Sequence, residues 1–499
     1  MLGLLTLICC QPLLRAEPGT VDAVYSTLHA FAAKMSDGSV VAWGDSEDGG
    51  SLVSAAYFVT SGVDTIYSTS YAFAAKKYDG SVHTWGSPSQ GGNQMVSTSA
   101  DGSEGDSYWV NEELLSGVEM ICSNTEAFAA KKSDGSVVTW GASSAGGSSK
   151  LVSRPLASGV ETIYSTWYAF AVKKSDGSVV TWGSPSKGGD SRSVSQHLTS
   201  GVDTIYSTCC AFAAKKSDGS VVTWGDASDG GDSYSVNDQL TSGVEVIYSN
   251  TEAFAAKKSD GSVVTWGGAG GDSFSVSNHL TSGVDTIYST DYAFAAKKSD
   301  GSVVTWGSSR SGGDSSWVSD RLTSGVETIY STGSAFAAKK SDGSVVTWGY
   351  SLYGGDSSSV SDYLTSGVDT IYSTPFAFAA KKSDGSVATW GDETAGGDSS
   401  SVSTHLASGV DAVFSTCCAF AAKTSDGRVV TWGSPSKGGD SSSVSQHLGF
   451  SSVTASTTTP SATTTTTTSL QLYKDASYAT TTSQLSMFVG LLTGVLGAL

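Results

Sequence analysis

The residues of this chain that could do chemistry are serines, histidines, aspartates and cysteines, and most of them recur at fixed intervals. From Gly105 onward the triplet Gly-Asp-Ser occurs eight times, with carboxylates at Asp106, Asp190, Asp232, Asp272, Asp314, Asp356, Asp398 and Asp440. Serine beside aspartate could belong to a hydrolase, in which one serine attacks, one histidine takes its proton and one carboxylate orients that histidine. Such a centre needs a unique base and a unique acid. Eight equivalent copies instead describe a repeated turn capped by its Asp, with a ring of carboxylates holding a cation as the alternative. His197, His279, His405 and His447 share one position before a leucine, and equivalents in neighbouring units stand too far apart to bind one metal at about 2 Å each. They read as surface residues. Of the cysteines, Cys209-Cys210 and Cys417-Cys418 fill the same two positions of different units, and Cys122 replaces a repeated tyrosine. There is no C-x-x-C zinc spacing, and adjacent cysteines are not expected to bond each other without strain. Glycines come as Gly-Gly pairs in connections, not as a strand-to-helix phosphate loop. The expectation is no catalytic centre, no metal and no cofactor.

What must position these residues is a repeat. The stretch AFAAKKSDGSVVTWG recurs ten times with few substitutions, its Ala-Phe pairs beginning at Ala30, Ala72, Ala127, Ala169, Ala211, Ala253, Ala293, Ala335, Ala377 and Ala419. Subtraction gives spacings of 42, 55, 42, 42, 42, 40, 42, 42 and 42, the fixed period of a repeat architecture. In the unit from Ser200 to Thr241, Val202–Ser207 and Ala211–Lys215 are short, β-branched and apolar, and read as strands. Ser217-Asp218-Gly219 supplies a reversal, and Ser220–Trp224 returns as the partner strand. A short Ser-Val segment ending at Leu240 adds a fourth strand to the expectation. About 42 residues and four short strands is the size of one propeller blade. A single unit could not bury its apolar face, whereas stacked units can, and closing them into a ring removes exposed sheet edges. The tryptophan at the end of each hairpin, such as Trp224, is expected to pack between units.

The hairpin core, an Asp-Gly turn followed by SVVTWG and a Gly-rich loop, resembles the repeats of the regulator of chromosome condensation family, and it is also similar to β-lactamase inhibitor protein II. The resemblance spans about residues 20 to 448. It implies an all-β fold, a β-propeller of the kind usually built from seven blades and used as a platform for binding other proteins. Lys215 and its equivalents stand where repeats of that family usually carry an apolar residue.

The ends of the chain differ from its middle. Leu2 to Leu14 is an apolar run followed by Arg15 and Ala16, so residues 1–16 read as a secretory signal, with an N-terminal strand as the alternative. Residues 20–448 are the propeller repeats. An insertion of 13 residues between Gly86 and Asp106 reads as a longer surface loop. Residues 449–484 are rich in Thr and Ser, too polar to fold alone, and resemble a glycosylated stalk. Residues 485–499 are apolar and uncharged, but fifteen residues at about 1.5 Å each reach only about 22 Å, short of a hydrocarbon core of about 30 Å. They read as the signal for a glycosylphosphatidylinositol anchor attached at Asp475 or Ser477, or else as a tail anchor.

A formal net charge of −19 spread over the repeats argues against nucleic acid as a partner and describes a solvated surface. Variation is concentrated at two places in each unit. One is the pair before Ala-Phe, for example Trp167-Tyr168, Asp291-Tyr292 and Pro375-Phe376; the other is the loop after Trp-Gly, for example Tyr350 to Tyr353. In a propeller both project from a face, so Trp167, Tyr168, Tyr292, Tyr350, Tyr353 and Phe376 are candidate contact residues, with unconstrained drift as the alternative. The functional expectation is a monomeric, non-enzymatic, membrane-anchored binding or adhesion scaffold at the cell surface, or secreted, that displays these loops to a protein or glycan. The alternative is a cytoplasmic propeller that regulates a small GTPase or ubiquitin pathway.

Overall fold

The computed structural model describes residues 21–92 and 112–442. The signal at 1–16, the insertion beyond Gly92, Asp106, His447, the stalk at 449–484, the tail at 485–499 and the attachment residues Asp475 and Ser477 lie outside the described residues. Among the described residues no helix is long and apolar enough to cross a membrane.

Ten separate three-stranded antiparallel sheets make up the described chain, one per repeat. In the fifth unit the strands are Val202–Ser207, Ala211–Lys216 and Val221–Gly225, within a residue or two of the sequence expectation. The second and third strands are closed by a turn that the sequence specifies atom by atom. Asp218 Oδ1 accepts from the Ser220 amide at 2.9 Å and from its hydroxyl at 2.6 Å. Gly219 has φ +77°, and a Cβ there would meet the Gly243 amide of the next unit at 2.8 Å. Only glycine serves both the turn and that close approach.

Among the described residues the expected fourth strand is absent. Residues Tyr234–Leu240 form a short 3₁₀ helix instead, and equivalent segments behave alike. The Gly-Asp-Ser triplet supports this turn, Asp232 Oδ1 accepting from the Tyr234 amide at 2.9 Å, although the third unit turns in the same way with Gly147-Ser148-Ser149 in its place. The other described copies, Asp190, Asp272, Asp314, Asp356, Asp398 and Asp440, accept from the amide two residues on in the same way. The triplet's serine is tied as well: Ser233 Oγ lies 3.0 Å from the Thr223 hydroxyl on the third strand.

The core lies between units, not within them. One cluster joins Ala335, Ala337, Val345 and Leu364 of the eighth unit to Ile371, Phe378 and Trp390 of the ninth. Each Phe–Trp pair stacks inside its own unit, as Phe336 and Trp348 do at 5.2 Å. In nine of the ten units the indole N–H then reaches back to the preceding unit, as Trp348 Nε1 donates to the Gly312 carbonyl at 3.0 Å, whereas the buried Trp140 Nε1 has no such partner. Gly312 has φ +95°, and a Cβ on it would stand 2.6 Å from Phe336.

The same joint connects the last unit to the first. Trp43 Nε1 donates to the Gly438 carbonyl at 3.2 Å. Val21, Phe31 and Trp43 share a cluster with Ala419, Ala421 and Val429. All ten units therefore enter one cycle, held by side-chain packing between sheets that remain distinct.

The lysines at the Lys215 position face the first strand. Lys215 Nζ is 2.7 Å from Asp203 Oδ2, and pairs such as Lys257–Glu245 and Lys297–Asp285 repeat it. A bulge at the second residue of the first strand, seen between Val202 and Thr204, turns that acid towards the lysine. Because the acids are about half exposed, each pair adds little stability, and the lysine stem contributes by covering the sheet.

Candidate functional site

The variable pair of every unit sits in the turn between the first and second strands. Its first residue is held through its main chain, and at Thr125 the hydroxyl adds a second bond to the same carbonyl. The Leu28 amide donates to the Ser70 carbonyl, Ser70 to Thr125, Thr125 to Trp167, Trp167 to Cys209, Cys209 to Thr251, Thr251 to Asp291, Asp291 to Gly333, and Gly333 to Pro375. Cys417 donates to Leu28 across the closing joint at 3.4 Å. The one step missing from this circle, from residue 375 to Cys417, is the one at which proline has no N–H to give. A ring of main-chain bonds, broken only at proline, is what allows eight different pairs to occupy the same place in ten units.

The loop after Trp-Gly is held beside that turn. Asp226 N donates to the Cys210 carbonyl at 3.0 Å, and the equivalent bond recurs at Tyr350 to Ser334 at 2.9 Å. A threonine just before the pair locks the fourth loop residue: Thr332 Oγ1 accepts from the Ala335 amide at 3.0 Å and donates to the Tyr353 carbonyl at 2.9 Å. In the third and sixth units asparagine does the same, Asn250 reaching the Ala269 carbonyl at 2.6 Å. Thr332→Val keeps shape but leaves a buried amide without that partner, and is expected to cost about 1–2 kcal/mol. The check is a lowered urea midpoint at unchanged slope; an unchanged midpoint would show that the clamp contributes nothing.

The two variable segments thus converge on one rim of the ring, and the loop of one unit touches the next. Tyr350 and Tyr353 meet edge to face at 4.8 Å, and Tyr353 meets Phe376 of the following unit at 4.8 Å. The Arg310 guanidinium, from the preceding loop, lies 4.4 Å from the Tyr350 ring centre. Three of the six candidate contact residues therefore form one half-buried aromatic patch with a cation against it. Trp167 and Tyr168 lie apart from it in the fourth unit, where Tyr168 packs partly into the core. Tyr292, in the seventh unit, is 37% exposed, with its phenol pKa raised by partial burial.

The charged part of the rim escaped sequence reasoning. Lys187 of the fourth loop pairs with Asp226 of the fifth at 2.9 Å, which holds that carboxyl below the usual range. The equivalent Lys437 approaches Asp45 across the closing joint at 4.0 Å. His29 Nδ1 lies 2.5 Å from Asp48 Oδ2. Asp291 is half-buried, and desolvation alone raises its carboxyl to about 7. Cys417 and Cys418 are joined in a disulfide, against the expectation that adjacent cysteines stay apart, whereas Cys209 and Cys210 are free and buried. The available signal was the variability of loop positions one and four; their meeting across units needs the ring. The described histidines of the shared position, His197, His279 and His405, lie on or near the surface.

No family description and no curated protein matches the chain by sequence. Among solved structures, Prp20p from Saccharomyces cerevisiae is 13% identical, with 58% of this chain and 83% of that chain covered and a TM-score of 0.32. The ectodomain of the Physcomitrella patens receptor kinase CR4 is 13% identical, covering 58% of this chain and 74% of that chain at a TM-score of 0.29. The computationally designed Ika8 protein is 12% identical, covering 67% of this chain and 98% of that chain at 0.28. Similarity at this level assigns neither a family nor an activity.

Proposed function

We propose that the protein is a ten-bladed β-propeller that acts without catalysis, as a binding or adhesion scaffold at the cell surface or in the extracellular space. It presents its variable rim to a protein or glycan. The observation that carries this reading is the convergence of both variable segments of every unit on one rim, fixed by main-chain bonds that tolerate any side chain. Such a scaffold can change what it displays without changing its fold. The patch of Tyr350, Tyr353, Phe376 and Arg310 supplies flat apolar surface beside a charge, the composition of a contact hot spot.

Capture of the partner by the full chain from a cell extract tests the reading, with binding compared between two double variants. Tyr353→Ala/Phe376→Ala is expected to weaken capture at least about tenfold. Tyr234→Ser/Phe274→Ser, which alters exposed aromatics away from the rim, is expected to leave it unchanged. Loss with the second variant and not the first would overturn the assignment to the rim. Staining of unpermeabilised cells tests the surface location, and release by a phosphatidylinositol-specific phospholipase tests the lipid anchor; failure of the first would favour the cytoplasmic regulator.

A further inference from the structure

In each unit the loop after Trp-Gly is bonded beside the variable pair, and the chemistry of that junction changes with the residues that fill it. In the fifth unit Cys209, Cys210 and Asp229 each bring one donor atom, and the three atoms lie within 4.8 Å of one another. Cys209 Sγ is 3.4 Å from Asp229 Oδ2. Both thiols are buried and the carboxylate is half-buried. Two thiolates bound to one tetrahedral ion at about 2.3 Å stand about 3.8 Å apart, a separation this pocket can supply. The carboxylate comes 20 residues after Cys209, so no compact sequence motif announces the site.

Two carboxylates, Asp226 and Asp229, share one cation, Lys187, which is 2.9 Å from Asp226 and 4.0 Å from Asp229 and also interacts with the Cys210 thiol. The tenth unit provides an internal contrast. It carries the same cysteine pair, but Lys437 stands where Asp229 does, and the two sulfurs are bonded to each other. That pocket has a cation in place of the third ligand and no free thiol.

We propose that Cys209, Cys210 and Asp229 form a site for a thiophilic divalent cation of the zinc class. Two S–metal bonds and one O–metal bond form, the two thiol protons leave to solvent, and no electron is transferred. Two thiolates select zinc-like ions over calcium or magnesium. This assignment does not depend on the rim having a macromolecular partner.

Cobalt(II) added to the reduced full-length chain is the probe, because thiolate-to-cobalt charge transfer reports sulfur ligation. A histidine–carboxylate site such as His29, Asp45 and Asp48, whose donor atoms also lie close together, gives no such band. The expected result is a band that saturates at a single equivalent and is bleached by zinc. Cys209→Ser/Cys210→Ser should abolish it, Asp229→Ala should weaken cobalt binding at least about tenfold, and Cys417→Ser/Cys418→Ser should leave it intact. Absence of the band in the unaltered chain overturns the proposal, as does a band that survives in the first double variant and vanishes in the last. Should the cysteine variants fail to fold, zinc protection of Cys209 and Cys210 from alkylation in the unaltered chain decides the matter: protected thiols support the site, and equal labelling with and without zinc refutes it.

Discussion

Trp43→Ala should destabilise the protein as much as Trp348→Ala does, by about 3–5 kcal/mol in each case. Both indoles are buried, at 1% and 0% exposure. Each stacks on a phenylalanine of its own unit and donates to a glycine carbonyl of the preceding one. Removing either leaves a large cavity at a joint and strips a buried carbonyl of its donor. What separates the two is position in the sequence, since Trp348 lies in the middle of the array and Trp43 in its first unit. In an open array the first unit has no predecessor, and Trp43 would lose only its contacts at home. In the closed ring the two joints are equivalent. Urea unfolding followed by far-ultraviolet circular dichroism measures both; a Trp43→Ala cost well below that of Trp348→Ala would contradict closure.

Asp291→Asn is expected to stabilise the protein at pH 8 and to have little effect at pH 4. Desolvation raises the Asp291 carboxyl to about 7, against about 3.9 in an unfolded chain. Between those values the folded state holds a proton that the unfolded state has released, so stability falls as pH rises from about 4 to about 7. Above that range the full penalty of a desolvated carboxylate is present. The difference of about three pH units corresponds to at most about 4 kcal/mol, reduced by the water that reaches a half-buried group. Tyr292 and Glu252 lie near enough to interact with this part of the rim, and neither supplies a positive charge. Asparagine keeps the shape beside Gly333, where a Cβ would stand 2.7 Å from Asp291 Oδ2. Denaturation midpoints of the two proteins across pH 4 to 8 provide the check. Parallel curves would show that Asp291 titrates normally.

The local fold was legible because the signals that set it are local. Val202–Ser207 alternates and is β-branched, Asp218-Gly219 can only reverse the chain there, and Trp224 recurs at a strand end; each acts within a few residues. The segment expected as a fourth strand turns locally as well, and Asp232 takes one of the amides of that turn. Asp232 caps that turn, as the recurrence of its triplet implies. Contacts across the ring were not legible. Lys187 meets Asp226, Tyr353 meets Phe376, and Cys209 meets Asp229 only once hairpin length, loop length and the offset between neighbouring units are all fixed. The lysine at position 215 looked out of place for an apolar strand until the bulge beside Asp203 supplied its partner.

The circle of main-chain bonds on the rim has a direction. Every amide from Leu28 to Gly333, and then Cys417, donates to the unit that follows, so the peptide dipoles run head to tail around a loop. Dipoles arranged along a helix add up to opposite poles at its two ends; arranged around a circle they cancel, and the rim exerts no net pull of its own on a charged molecule approaching along the axis. What such a molecule meets is set by side chains alone. Pro375 makes the single cut in that circle, so the carbonyl of Cys417 on one side of it faces a nitrogen that carries no hydrogen, and the ring acquires one place that differs from the other nine.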